Sequence, residues 1–493
     1  MVEIQDDMAM VEKSEDIEVQ PARRRRLAAF QSSTLFQTLL WTVQSLRPSF
    51  MSTCKRNNRL RRTAYLDGIR GFAAFLVYWH HHELWAHEAQ QSDERLQSSF
   101  GWKGEHILVT APFIRTFVTG GHFAVAIFLI ISGYVLSTKP LSLLESGDHL
   151  AFADNVASAL FRRWFRLWIP IFVMSIGIVS LYYWTGIFAN FIPEGSYGKE
   201  LWKLYGEMKV YSFVFGQPKM PWLSYHPHTW TIPVELRGSF LIYGTLIALS
   251  RATRKARLWC MTGLIFYFMW ITDGAFYAMF IAGMLICNLD MPVVQDELAE
   301  RFTFLKPFET VIWYVVLIVG LYLSGVPSAA NDVNYLRDSP GWYYLSYLKP
   351  AAVFDQKWFF LFWAAIMIIT AIARIHWLRR FFETGFCQYL GRISYMLYLF
   401  HGPILWTLGD RLYAATGWSR ESHALHLPGW TNRLPVPKFG PLGLELAFFV
   451  PNLILVPVTF WFAEIGTTLI DGPALRFGSW LYGKVKASDE YLA

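Results

Sequence analysis

Ten apolar stretches, each long enough alone or with modest tilt to cross about 30 Å of hydrocarbon, run through this 493-residue chain. They fall at roughly 65–86, 117–137, 167–187, 231–250, 257–272, 275–290, 309–325, 357–375, 390–408 and 446–470. Inside hydrocarbon every backbone N–H and C=O must be satisfied within the segment, so runs of this length specify helices. The fifth and sixth are short and separated only by Thr272-Asp273-Gly274, and no internal repeat is visible. Composition agrees: 54% hydrophobic and 16% charged, against about 25% charged in a soluble domain. The expected architecture is all-α, a polytopic transmembrane helical bundle of about ten spans over residues 65–476. Cys54, Cys260, Cys287 and Cys387 show no paired spacing, which gives neither a disulfide framework nor a zinc pattern.

Residues 1–64 differ in kind. The first twenty hold seven acids and one lysine with no apolar core, so no cleavable signal peptide is expected. A disordered start leading into an amphipathic, surface-lying helix within 27–46 is the expected form of this tail. Eleven Lys and Arg precede residue 65. With the N-terminus cytoplasmic, Arg162, Arg163 and Arg166, then Arg251 to Arg257, then Arg374, Arg379 and Arg380, all fall on that side. So does a basic tail at 477–493, while the long loops at 188–229, 326–356 and 409–442 fall opposite with sparse positive charge. This is the positive-inside pattern, so both termini are expected to be cytoplasmic. It also explains the net charge of +7 by lipid and orientation, without a nucleic-acid partner.

Polar groups within such helices are expensive and therefore informative. In the first span, Arg70 and His81 lie eleven residues apart, on nearly one face and about 16 Å along the axis. An interfacial His/Trp belt at the outer end explains His80, His81 and His82 equally well on spacing. Metal is not expected. His82-Glu83-Leu84-Trp85-Ala86-His87 is one residue too long for a zinc-hydrolase motif, and consecutive histidines on a helix point apart. Ser132 and Gly133 put a small hydroxyl and a close-contact residue in the second span. Arg162, Arg163 and Arg166 are suited to gripping phosphates, whether of a ligand or of lipid headgroups. Glu235 sits one turn into the fourth span, with Arg237 near enough to neutralise it, and His401 sits two-thirds of the way across the ninth.

At this point the residues match a family. The chain resembles the membrane acyltransferase-3 family through Leu66-Asp67-Gly68-Ile69-Arg70-Gly71 with His81, and Phe128-Leu-x-x-Ser132-Gly133-Tyr134. Further matches are Arg162-Arg163-x-x-Arg166-Leu, Trp230-Thr-x-x-x-Glu235, and Leu390-Gly-x-x-Ser394-Tyr395 with His401. Asp471-Gly-Pro473 stands where many relatives have Glu-x-Pro, and the Thr231-Ile-Pro-Val-Glu-Leu-Arg-Gly-Ser form resembles the fungal branch. The resemblance implies transfer of an acyl group, usually acetyl from acetyl-CoA, to a hydroxyl, with Arg70 and His81 as the essential pair. In that reading His81 is the general base, since a neutral imidazole is suited to taking the proton of an attacking alcohol. Glu235 or Asp67 would orient it, Glu235 being favoured, and His401 is a second base or an orienting group. Arg70, Ser132, Arg162, Arg163 and Arg166 would hold the acyl-CoA, a co-substrate rather than a bound cofactor. The acceptor is expected to be a small lipophilic metabolite or a glycan, in an endomembrane or the plasma membrane. A proton-coupled transporter is the alternative, because intramembrane His, Glu and Arg also build proton relays.

Overall fold

Helix α1, Ala64–Ala86, carries the first motif, and the fold is arranged around it. The structure, a computed structural model, describes residues 60–187, 193–216 and 222–486. The amphipathic helix expected within 27–46 lies outside them. Among the described residues all regular structure is helical. The elements that matter for the site are α2 (Gly121–Glu145), α3 (His149–Thr185), α4 (Tyr197–Ser212), α5 (Thr231–Ala248) and α6 (Arg254–Phe266). They are followed by α7 (Ala275–Leu289), α8 (Glu309–Leu323), α9 (Gln356–Arg374) and α10 (Gly385–Ile404). After these come α11 (Asp410–Thr416), α12 (Leu446–Gly466) and α13 (Gly472–Val485). Each apolar stretch of the sequence therefore contains a helix. Among the described residues, five helical runs are both long and apolar enough to cross a membrane: Gly121–Glu145, His149–Thr185, Thr303–Leu323, Gln356–Arg374 and Leu446–Val485.

Two boundaries depart from hydropathy. Helix α3 begins at His149 rather than near 167, because Asp148 caps it by accepting from the Ala151 N–H (2.9 Å) and a polar first half follows. An apolar window sees only the later half of such a helix. At the other end, α12 runs through a π-helical turn at Thr467–Asp471 into α13, so the segment from 477 is helical as far as Val485 and packs along α3. A π turn inside a long helix is a local widening that recurs at functional sites.

α1 packs against α10 and α2, and α2 in turn against α7. Glycines set both crossings. A Cβ at Gly71 would overlap the backbone of Leu390 and Gly391 on α10, and one at Gly391 would strike the Asp67 carbonyl. Gly133 and Gly283 do the same for α2 and α7, against Phe280 and Ile130. The motif glycines are thus packing residues that let backbones meet. Gly71→Val is expected to force α1 and α10 apart. The clash is with backbone, so the cost should exceed the roughly 1–3 kcal/mol of ordinary overpacking. A melting temperature of the purified variant within about 1 °C of wild type would contradict so close a crossing.

Candidate active site

The close approach of α1 and α10 fixes where the charged residues meet. Arg70, Ser132, Arg163, Arg166 and Glu235 line one cavity enclosing about 180 Å³, together with Tyr398. Most of its apolar lining comes from α2, including Val125, Phe128, Leu129 and Ile131, while Thr231 of α5 and Arg392, Ser394 and Tyr395 of α10 add polar groups. The charges inside are mostly committed to one another. Arg163 forms a partly buried ion pair with Glu235 and donates from Nε to Ser239 Oγ (2.9 Å). Ser132 Oγ–H donates to the same Glu235 carboxylate (2.5 Å). Arg70 pairs with Asp67 one turn earlier (3.1 Å) and reaches the Gly391 carbonyl (3.3 Å). Arg166 and Asp471 line the cavity as well, and among the described residues neither forms an ion pair. Arg162 points outward, donating to the Ser158 carbonyl (3.1 Å), and does not line the cavity. Arg237 turns to the Val214 carbonyl (2.7 Å) and leaves Glu235 to Arg163.

Tyr398 joins this cavity to a cluster of imidazoles. Its hydroxyl donates to the His228 carbonyl and accepts from Thr231 Oγ1 (2.7 Å), and its ring lies 5.7 Å from that of His401. The rings of His81 and His228 are stacked, with centroids 3.8 Å apart and planes 17° apart. His401 completes the group at 5.2 Å from His81 and 4.9 Å from His228. His401 is fixed by its Nδ1–H, which donates to the Tyr398 carbonyl (2.6 Å). His81 is only partly buried, and no described residue hydrogen-bonds to its ring.

Neither carboxylate expected to orient His81 touches it. Asp67 is fourteen residues away on the same helix, about 21 Å along the axis, and Glu235 is engaged by Arg163 and Ser132. The rings that contact His81 are instead those of His228 and of His401, the latter expected as a second base or an orienting group. His228, Tyr398 and Asp471 were not among the expected site residues. Their signals were faint. His228 precedes the Trp230-Thr motif by two positions, and Asp471 is the acid of the Asp-Gly-Pro turn.

The three histidines place possible ligand atoms within 4.8 Å of one another, the one such group among the described residues. Ring lone pairs lie in the ring planes, however, and one ion cannot lie in the planes of two imidazoles stacked face to face. The arrangement does not fit a metal as it stands, and no step is routed through one.

Just past the C-terminal end of α1, His87 is buried between two acids. Its Nδ1 lies 3.2 Å from Glu83 Oε2, and its Nε2 lies 3.0 Å from Glu445 Oε2, which also accepts from the Gly443 N–H (2.9 Å). Burial works against the charged imidazole, but the hydrogen bonds and charges of Glu445 and Glu83 outweigh it and push its pKa up to about 9. A raised pKa contributes stability that is fully present below the ordinary value of about 6.5 and is lost as pH rises through about 9. The melting temperature of wild type is therefore expected to fall between pH 7 and 9.5 by more than that of His87→Gln. Parallel curves for the two proteins would show that the clamp carries no charge.

The fold and cavity describe a helical membrane protein with a cationic, histidine-flanked site, and the comparisons give its class. The acyltransferase-3 family model, described as an acyltransferase domain, matches residues 63–463, and the chain belongs to that family. It is 30% identical over 407 residues to O-acetyltransferase PaAT-1 of Phomopsis amygdali, covering 74% of this chain and 77% of that protein. It is 23% identical over 415 residues to acyltransferase clz18 of Cochliobolus lunatus, covering 73% and 86%. No solved structure matches. Membership in a transferase family decides between the two readings of the sequence in favour of the acyltransferase.

Proposed function

We propose that this protein is a multi-pass membrane O-acyltransferase with both termini cytoplasmic. It moves an acyl group, acetyl in the first instance, from acyl-CoA to the hydroxyl of a lipophilic small molecule. The observation that carries the reading is His81, partly exposed and free of protein hydrogen bonds, in a cluster that Tyr398 connects to the arginine cavity. A base that must take a proton from a substrate needs an open nitrogen, and a buried, fully bonded histidine has none. As the acceptor oxygen attacks the thioester carbonyl, its proton passes to His81. The new C–O bond forms as the C–S bond breaks, and the departing thiolate takes the proton, leaving free thiol and neutral His81.

The cations divide the work on the donor. Arg163 and Arg70 are largely neutralised by Glu235 and Asp67, so Arg166 is the guanidinium with capacity left for a phosphate. In this reading the phosphates sit at Arg166, the acyl end extends past Tyr398 towards the histidine cluster, and the rest of the nucleotide stays outside the cavity. The apolar α2 wall favours a lipophilic alcohol over a glycan, and Val135 on that wall is 47% exposed, which suits access from the bilayer. The fungal O-acetyltransferase among the relatives supports acetyl as the group transferred. The test is radiolabelled acetyl-CoA with purified protein and a panel of lipophilic and carbohydrate alcohols. Label is expected in the lipophilic fraction with matching release of thiol. Absence of both, with every acceptor, would overturn the proposal.

A further inference from the structure

We infer that His228 is a positioning residue for this reaction, its ring face holding His81 in place where a carboxylate would otherwise do so; the inference rests on the reading of His81 as base. The contact is 3.8 Å between ring centres at 17°. Imidazole N–H groups and lone pairs lie in the ring plane, so rings stacked at this separation cannot hydrogen-bond to each other. What His228 offers His81 is a flat surface that restricts rotation of the ring. His401 backs the pair at 5.2 Å from His81 and lies within 7° of the His228 plane.

The plate is itself fixed. His228 sits in a 3₁₀ turn, Pro227–Trp230, that opens with a proline and is closed by Thr229 Oγ1–H donating to the His226 carbonyl (2.7 Å). Its own carbonyl accepts from the Tyr398 hydroxyl. Its Nδ1 is buried without a partner against Gly402, where an added Cβ would come within 2.9 Å of that nitrogen and of the Trp406 ring, which packs on His228 at 4.8 Å. The ring therefore occupies a slot between Gly402 and His81. A carboxylate partner would consume one nitrogen of the base. A ring face consumes neither, and both nitrogens of His81 stay available to reacting groups.

Three substitutions at one position separate a flat plate from a proton-carrying group. His228→Phe keeps the plate and removes the nitrogens, and kcat is expected to stay within about 3-fold of wild type. His228→Leu fills the space without a flat face and is expected to lower kcat about 10- to 100-fold, the scale on which small misplacements of a reacting group are felt. His228→Ala should follow Leu, with KM for acetyl-CoA unchanged throughout. Gly402→Ala tests the same slot without changing the histidine and should lower kcat by crowding the His228 ring and the Trp406 ring packed on it, again at unchanged KM. Phe as inactive as Leu would mean that the ring nitrogen is needed and would overturn the inference. Wild-type kcat in Leu, or in Gly402→Ala, would overturn it too. Binding of acetyl-CoA by each variant reports that it has folded, and where the His228 variants bind none, the Gly402→Ala result decides. Failure of the underlying reading looks different, since full activity in His81→Ala would remove the base itself.

Discussion

His81→Ala is expected to lower kcat for acyl transfer by about 10²–10⁴-fold, the range that a positioned general base supplies. KM for acetyl-CoA should hardly move, because the guanidiniums lie in the cavity beside Tyr398 and make no contact with His81. Loss confined to kcat marks a group that acts when the proton moves, whereas a donor-binding group would raise KM. The stability of the variant should be close to wild type. His81 is partly exposed and has no protein hydrogen bond to lose, so truncation removes ring contacts and leaves no buried polar partner stranded. If kcat of the purified variant stays within about 3-fold of wild type, the base is elsewhere. His401 is then the group to change, since its Nε2 is buried and unpartnered in the same cluster.

The helices were legible in the sequence for a simple reason. Hydrocarbon imposes a length and a composition on any segment that crosses it, and α1, α7 and α9 follow that rule almost residue for residue. The polar half of α3 did not, because a capped helix outside an apolar run carries no hydropathy signal. Much of the site was legible through the cost of burying charge: Arg70, Ser132, Arg163, Arg166 and Glu235 were each conspicuous, and the structure gathers all five. The partners were not legible. Which acid meets which base depends on helix rotation and register, set here by glycine contacts such as Gly71 on Gly391. The intervals between Glu235 and Arg163, or between His228 and His81, carry no trace of that. A carboxylate was the natural expectation for orienting a catalytic histidine, and the face of a third ring was not.

The Arg163–Glu235 pair tests whether the cavity charges are there for the fold or for the substrate. Their side chains are 10% and 15% exposed, so removing one partner leaves an ion with little water around it. Arg163→Met strands the Glu235 carboxylate with only Ser132 to bond it, and a loss of about 3–5 kcal/mol is expected. Glu235→Gln strands the guanidinium but keeps an acceptor for Ser132, so its cost should be smaller. Combining Arg163→Met with Glu235→Gln removes both charges, and most of the stability lost in Arg163→Met alone should return, because a well-packed neutral pair is often no worse than an ion pair. Activity is expected to part company with stability. The double variant should fold but bind acetyl-CoA more weakly: the pair carries little net charge, but the Arg163 guanidinium lines the cavity and its N–H groups are donors that Met cannot supply to a ligand. Melting curves and acetyl-CoA titrations on the two single variants and the double variant complete the cycle. Recovery of stability together with wild-type donor affinity would assign the pair to the fold alone. Recovery of neither would mean that the cavity collapses without it, and that the space for the acyl group depends on this ion pair being intact.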